Sequence, residues 1–151
     1  MLTVTDVGLD ALRELARRYA LEVSCVSDNG KIPGSFWGEP EAGLIESTVY
    51  VRGDTPVHSF LHELCHVLCM DDDRRKGLHT NAGGDDLEES AVCYLQVVLS
   101  DHLPGVGRNR LMQDMDSWGY SFRLGSTAAW FQDDATDARD WLTARQLLPE
   151  V

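Results

Sequence analysis

Residues 55–70 read Thr55-Pro56-Val57-His58-Ser59-Phe60-Leu61-His62-Glu63-Leu64-Cys65-His66-Val67-Leu68-Cys69-Met70, and the rest of the chain is read outward from them. Thr55-Pro56 has the form of a helix N-cap followed by proline in the first helical position. The helix so opened runs to about Met70, with Phe60, Leu61, Leu64, Val67 and Leu68 as its apolar side. Within it lies the motif HExxH, His62 to His66. Side chains four apart on a helix share a face, with Cβ atoms roughly 5–6 Å apart. Two imidazoles at that spacing can converge on one zinc ion, which takes nitrogen ligands at about 2.0–2.1 Å. Glu63, one step round the helix, is placed to act as general base on a water whose pKa zinc lowers to about 7. His58 drifts about 40° from His62 and reads as a first-turn or substrate-side neighbour.

Upstream, Asp6 to Ala20 places Leu9, Leu12, Leu15, Ala16 and Tyr19 at helical spacing. Leu21 to Val26 reads as a short strand and Asp28-Asn29-Gly30 as a turn. Lys31 to Glu41, with two Pro, two Gly and Trp37, reads as irregular edge, and Leu44 to Arg52 as a second strand. Downstream, Asp71 to Asp86 is a polar loop, and Asp86 to Ser100 is a helix. Two further helices follow near Arg108 to Trp118 and Thr127 to Leu148. This order predicts an α+β fold, mostly helical, with a small sheet at one side. The length of 151 residues fits one domain, 1–151, and neither repeats nor low-complexity runs divide it. Trp130, Phe131, Trp141 and Leu142 are expected to cap the core.

The net charge is −12, from 25 acidic against 13 basic residues. Such a surface repels phosphate backbones and anionic bilayers, so neither nucleic acid nor membrane is an expected partner. The charge keeps a small protein soluble, or it favours a basic partner or substrate segment. The start, Met-Leu-Thr-Val-Thr-Asp, lacks the basic and apolar regions of a secretory signal. The four cysteines, Cys25, Cys65, Cys69 and Cys93, form no CxxC pair. Reduced thiols in the cytoplasm are therefore expected.

Two histidines do not complete a zinc site. Glu88, in Asp85-Asp86-Leu87-Glu88-Glu89-Ser90-Ala91, is the first candidate for the third ligand, because residues 67–87 are long enough to turn the chain back. The same residues fit a capping box, in which the glutamate only satisfies backbone donors. Glu89, pointing about 100° away round the helix, is an alternative. Asp72 is another, at the last position of an HExxHxxGxxD pattern, although Cys69 stands where that pattern has its turn glycine. Cys65 and Cys69 are read as buried structural thiols. Tyr94, Tyr120, His79 and His102 are the candidate oxyanion donors.

Val49-Tyr50-Val51-Arg52, then Leu61 to Leu68, then Glu88-Glu89-Ser90-Ala91-Val92-Cys93-Tyr94-Leu95 follow one another as in the ImmA/IrrE-type metallopeptidases. The chain resembles that gluzincin family over residues 32–104, roughly half its length. Cys65 replaces the family's usual glycine, and Val92 stands where related enzymes often place a polar residue that orients a ligand histidine. The resemblance implies a compact zincin-like minimal fold with a sheet of about three strands beside the HExxH helix. It also implies Glu88 as the zinc ligand beside His62 and His66. The expectation is a zinc metalloendopeptidase that cleaves a protein or peptide substrate inside the cell. The alternative is a zinc-stabilised protein-interaction module without turnover.

Overall fold

The computed structural model describes residues 1–35, 38–78 and 84–149. Its architecture is α+β, with a three-stranded mixed sheet and a larger helical layer. The N-terminal helical segment breaks in two, α1 (Val4–Val7) and α2 (Leu9–Arg17). Gly8 stands between them at φ 96°, a left-handed conformation that a side chain disfavours, so one continuous helix cannot form there. Strand β1 (Glu22–Cys25) follows, where a strand is expected.

The segment read as one strand, Leu44 to Arg52, is a hairpin of β2 (Gly43–Ile45) and β3 (Thr48–Val51). Glu46 makes the turn at φ 51° without the Asn or Gly that usually signals one. The strand order is β1-β3-β2; β3 runs parallel to β1 and antiparallel to β2, with Val23 opposite Val49 and Leu44 opposite Val49. Segment 33–35 crosses the outer edge of β2 through a bridge between Ser35 and Gly43.

Helix α3 (Val57–Cys69) carries the histidines and lies at the centre of the molecule. Pro56, not Thr55, is its N-cap residue (φ −62°, ψ 141°). Thr55 instead closes the preceding turn, its Oγ1 accepting the Arg52 N–H at 2.9 Å. The first helical amide, Val57 N–H, is satisfied by the Leu2 carbonyl at 3.0 Å, so the N-terminal segment supplies the cap. Phe60, Leu61, Leu64, Cys65 and Val67 are fully buried.

The region read as loop, 71–86, holds the short helix α4 (Asp72–Lys76), capped by Asp71 on the Arg74 N–H. Helix α5 (Asp86–Ser100) has the expected bounds and packs along α3. Asp85 caps it by accepting the Glu88 N–H at 2.8 Å. Helix α6 (Gly107–Trp118) comes next. The last predicted helix is two, α7 (Thr127–Asp133) and α8 (Thr136–Ala144), because the α7 carbonyls are closed by Asp134 N–H on Trp130 before α8 starts. Trp130 and Leu142 are buried against α5 and its neighbours, as expected of a cap on the core. Among the described residues, no helix is long and apolar enough to cross a membrane.

Candidate metal centre

His62 and His66 project from successive turns of α3 toward α5, their rings nearly perpendicular with centroids 4.6 Å apart. Their Nε2 atoms stand 3.1 Å from each other. Glu89, on the first turns of α5, closes a triangle: Oε1 lies 3.3 Å from His66 Nε2 and Oε2 lies 3.8 Å from His62 Nε2. Ligands at about 2.0–2.1 Å from a tetrahedral zinc stand about 3.3–3.4 Å from one another. The three donors therefore fit that ion with little movement. Among the described residues this is the one group of three His, Cys, Asp or Glu side chains so arranged.

Glu88 is turned elsewhere. Both its oxygens accept from Arg74 Nη1 of α4, at 2.8 and 3.0 Å, and it is buried there. The acidic side chain that the structure brings to the histidines is thus the neighbouring one, about 100° round the helix. Glu88 belongs to a tether between α4 and α5. Asp72, the other rival, is exposed at the start of α4 and lines a surface depression with Tyr19, Glu46 and Lys76.

Glu63, next to His62 on α3, is buried. Burial, reinforced by the charges of Glu41 and Glu89, raises its carboxyl pKa to about 8. Glu41 is held one helical turn away: its Oε2 accepts from Ser59 at 3.2 Å and its Oε1 from Trp118 Nε1 at 2.7 Å. Burial, with the neighbouring His62, lowers His66 to about 3 and His58 to about 4, and burial lowers His62 as well. All three rings are therefore neutral near pH 7, the state in which an imidazole nitrogen binds a metal.

Two polar residues at the site were not singled out, or not ranked, from the sequence. Gln96, fully buried on α5, places Oε1 3.0 Å from His62 Nδ1. It lies seven residues beyond Glu89, hence on the same helix face, and that spacing was the available signal. Val92 is buried and apolar, and the polar contact to His62 comes from Gln96, one turn further along α5. Tyr120, just beyond α6, sets its ring edge-on to His62 at 5.8 Å, and its hydroxyl is 3.1 Å from His58 Nδ1. The other oxyanion candidates lie apart: Tyr94 stacks on Phe131, and His102 meets Arg18. His79 lies outside the described residues.

Cys65, Cys69 and Cys93 are buried free thiols. Burial pushes Cys69 and Cys93 up to about 12 and Cys65 well above its ordinary value, so none supplies a ready thiolate to a metal. No protein-family model matches this chain, and no curated protein or solved structure matches it.

Proposed function

We propose that the chain is a zinc-dependent metalloendopeptidase of the gluzincin type, hydrolysing a peptide bond in a protein substrate. The triangle of His62, His66 and Glu89, with the buried Glu63 next to His62 on the same helix, carries this reading. Zinc bound there would polarise the scissile carbonyl and make water a nucleophile near neutral pH. The protein's own groups do the rest.

Glu63, one residue from His62, accepts the proton of the attacking water and returns it to the leaving amine. Its raised proton affinity suits the second step, and a cation opposite it would favour the carboxylate needed for the first. Tyr120, whose ring lies edge-on to His62, is the candidate oxyanion donor nearest the histidines; its hydroxyl, 3.1 Å from His58 Nδ1, would turn from that contact to reach a substrate. The half-exposed Trp118 beside Glu41 forms a lip on which a substrate chain can rest. The buried free thiols suit a reducing compartment, the cytoplasm.

Glu63→Gln tests the mechanism. The variant is expected to bind zinc stoichiometrically, by metal analysis after dialysis, and to lose cleavage of a peptide library by at least 100-fold, about what general-base catalysis supplies. Cleavage equal to the unaltered chain would defeat the assignment. The alternative reading, a zinc-stabilised module without turnover, draws on Val92 in place of a polar residue behind the histidines, on the small size and on the lack of an obvious substrate groove. Gln96 answers the first of these for His62.

A further inference from the structure

We infer that Gln96 is the positioning residue of the metal site: its amide fixes His62 as the Nδ1–H tautomer, turning the Nε2 lone pair toward the ion. The inference builds on the metal-centre reading, but its first half concerns the metal-free chain alone. It begins with an acceptor that cannot change its role. The His58 backbone carbonyl lies 2.7 Å from one end of the Gln96 amide, and a carbonyl only accepts. That end must be the NH₂ group. Flipping the amide would set two carbonyl oxygens against each other at that distance and leave both without a donor.

The opposite end is then Oε1, 3.0 Å from His62 Nδ1. An amide oxygen has no proton to give, so Nδ1 carries it, and neutral His62 has its lone pair on Nε2. That nitrogen is the one facing His66 Nε2 and Glu89. The second amide hydrogen reaches the Tyr120 hydroxyl oxygen at 3.4 Å, so both faces of the amide are engaged. The His58 carbonyl is also the backbone acceptor one turn before His62 in α3, so the amide ties the ring to its own helix. Gln96 is fully buried, so water does not compete for these contacts.

His66 has no such partner. Its Nδ1 is buried and makes no hydrogen bond among the described residues. The two ligand rings are therefore unequal: in the metal-free chain the His62 Nε2 lone pair and Glu89 Oε1, 3.1 and 3.3 Å from His66 Nε2, favour the His66 proton on that nitrogen, so His66 must change tautomer to bind an ion whereas His62 need not. Outer partners of ligand histidines typically hold about 10–100-fold in metal affinity.

The test uses the full chain with ¹⁵N-labelled histidine. After chelation, ring ¹⁵N–¹H spectra near neutral pH are expected to show His62 as the Nδ1–H form. Gln96→Met, similar in volume but with no amide, is expected to give a mixture of tautomers and about 10–100-fold weaker zinc binding. Gln96→Glu is expected to stay within a few-fold of the unaltered chain, since a buried protonated carboxyl keeps both an acceptor for Nδ1–H and a donor for the His58 carbonyl. His62 found as the Nε2–H form in the unaltered chain would overturn the inference without any variant having to fold. So would Gln96→Met with an unchanged tautomer and unchanged zinc affinity. A chain that shows the Nδ1–H form but binds no zinc at all would sink the metallopeptidase reading and leave the tautomer assignment standing.

Discussion

Glu88 and Glu89 are adjacent in sequence and sit about 100° apart on α5, and the chemistry of the site depends on which of them faces α3. Glu89→Gln is expected to weaken zinc binding by more than about 100-fold, beyond the range typical of outer partners, as read by competition with a chromophoric chelator. Glu88→Gln is expected to keep zinc and to lower stability by about 1–2 kcal/mol, because it loosens the charge-assisted pair with Arg74. The opposite pattern would return the ligand role to Glu88. Residues 85–91 showed that an acidic helix start follows the histidines, but not the helix's rotation about its own axis; Arg74, a turn of α4 that no periodicity announced, helps fix it. Burial at the same residues shapes pH dependence. His58 and His66 fold with pKa values of about 4 and about 3, below the 6.5 of the free side chain, so their contribution to stability is lost as pH falls from about 6.5. Glu63 is shifted up from 4.5 to about 8, so its contribution is lost as pH rises through that window. The thermal midpoint of the chelated chain is therefore expected to peak near pH 6.5, the histidines outweighing Glu63 below it. Glu63→Gln should flatten the decline between about 6.5 and about 8. A midpoint flat from pH 4 to 8 would show that these groups are solvated in the folded chain.

The elements most legible in the sequence are those whose burial repeats with a helical period, and α3 and α5 are the clearest cases. Phe60, Leu61, Leu64 and Val67 mark α3 almost to its observed ends, and the Asp85 cap marks the start of α5 to the residue. Less legible are breaks made by single backbone conformations. Gly8 splits α1 from α2, and Glu46 folds β2 back on β3 without a signature residue. The cap of α3 was misplaced by one residue because its amide partner comes from Leu2, far off in sequence. A long-range partner leaves no local trace. The same holds for Gly43, which lets segment 33–35 lie across the outer strand. A Cβ there would stand 1.8 Å from the Pro33 carbonyl oxygen. That segment covers an edge that would otherwise offer unpaired backbone groups to another strand. Gly43→Ala is therefore expected to lower stability by about 1–3 kcal/mol, the range for overpacked sites. At about 2–4 °C per kcal/mol for a chain of this size, a thermal melt resolves the change. Zinc stoichiometry should be untouched, since β2 contributes no ligand. An unchanged melting temperature would mean that the 33–35 segment moves aside freely.

At the scale of the whole molecule, the candidate metal site joins two helices that are already packed. The apolar cluster runs from Val4 and Leu12 through the sheet residues Leu44, Val49 and Val51 to α3, α5 and α8, without interruption at the histidines. A chain with that much buried surface does not need an ion to fold, unlike small zinc modules whose folding energy is the binding energy. The chelated protein is thus expected to keep its far-ultraviolet spectrum and a single cooperative melt. Zinc, binding only the folded form, raises stability by RT ln(1 + [L]/Kd), about 2.7 kcal/mol when free zinc is 100 times the dissociation constant. For a chain of this length that corresponds to about 5–11 °C. Two readings of the site separate on this measurement. If chelation merely lowers the midpoint by such an amount, the ion serves chemistry on a preformed scaffold, as a peptidase requires. If chelation unfolds the chain, zinc is a structural staple and the interaction-module reading gains. A midpoint that zinc does not move, in a chain that is folded throughout, would show that the triangle of His62, His66 and Glu89 holds no ion.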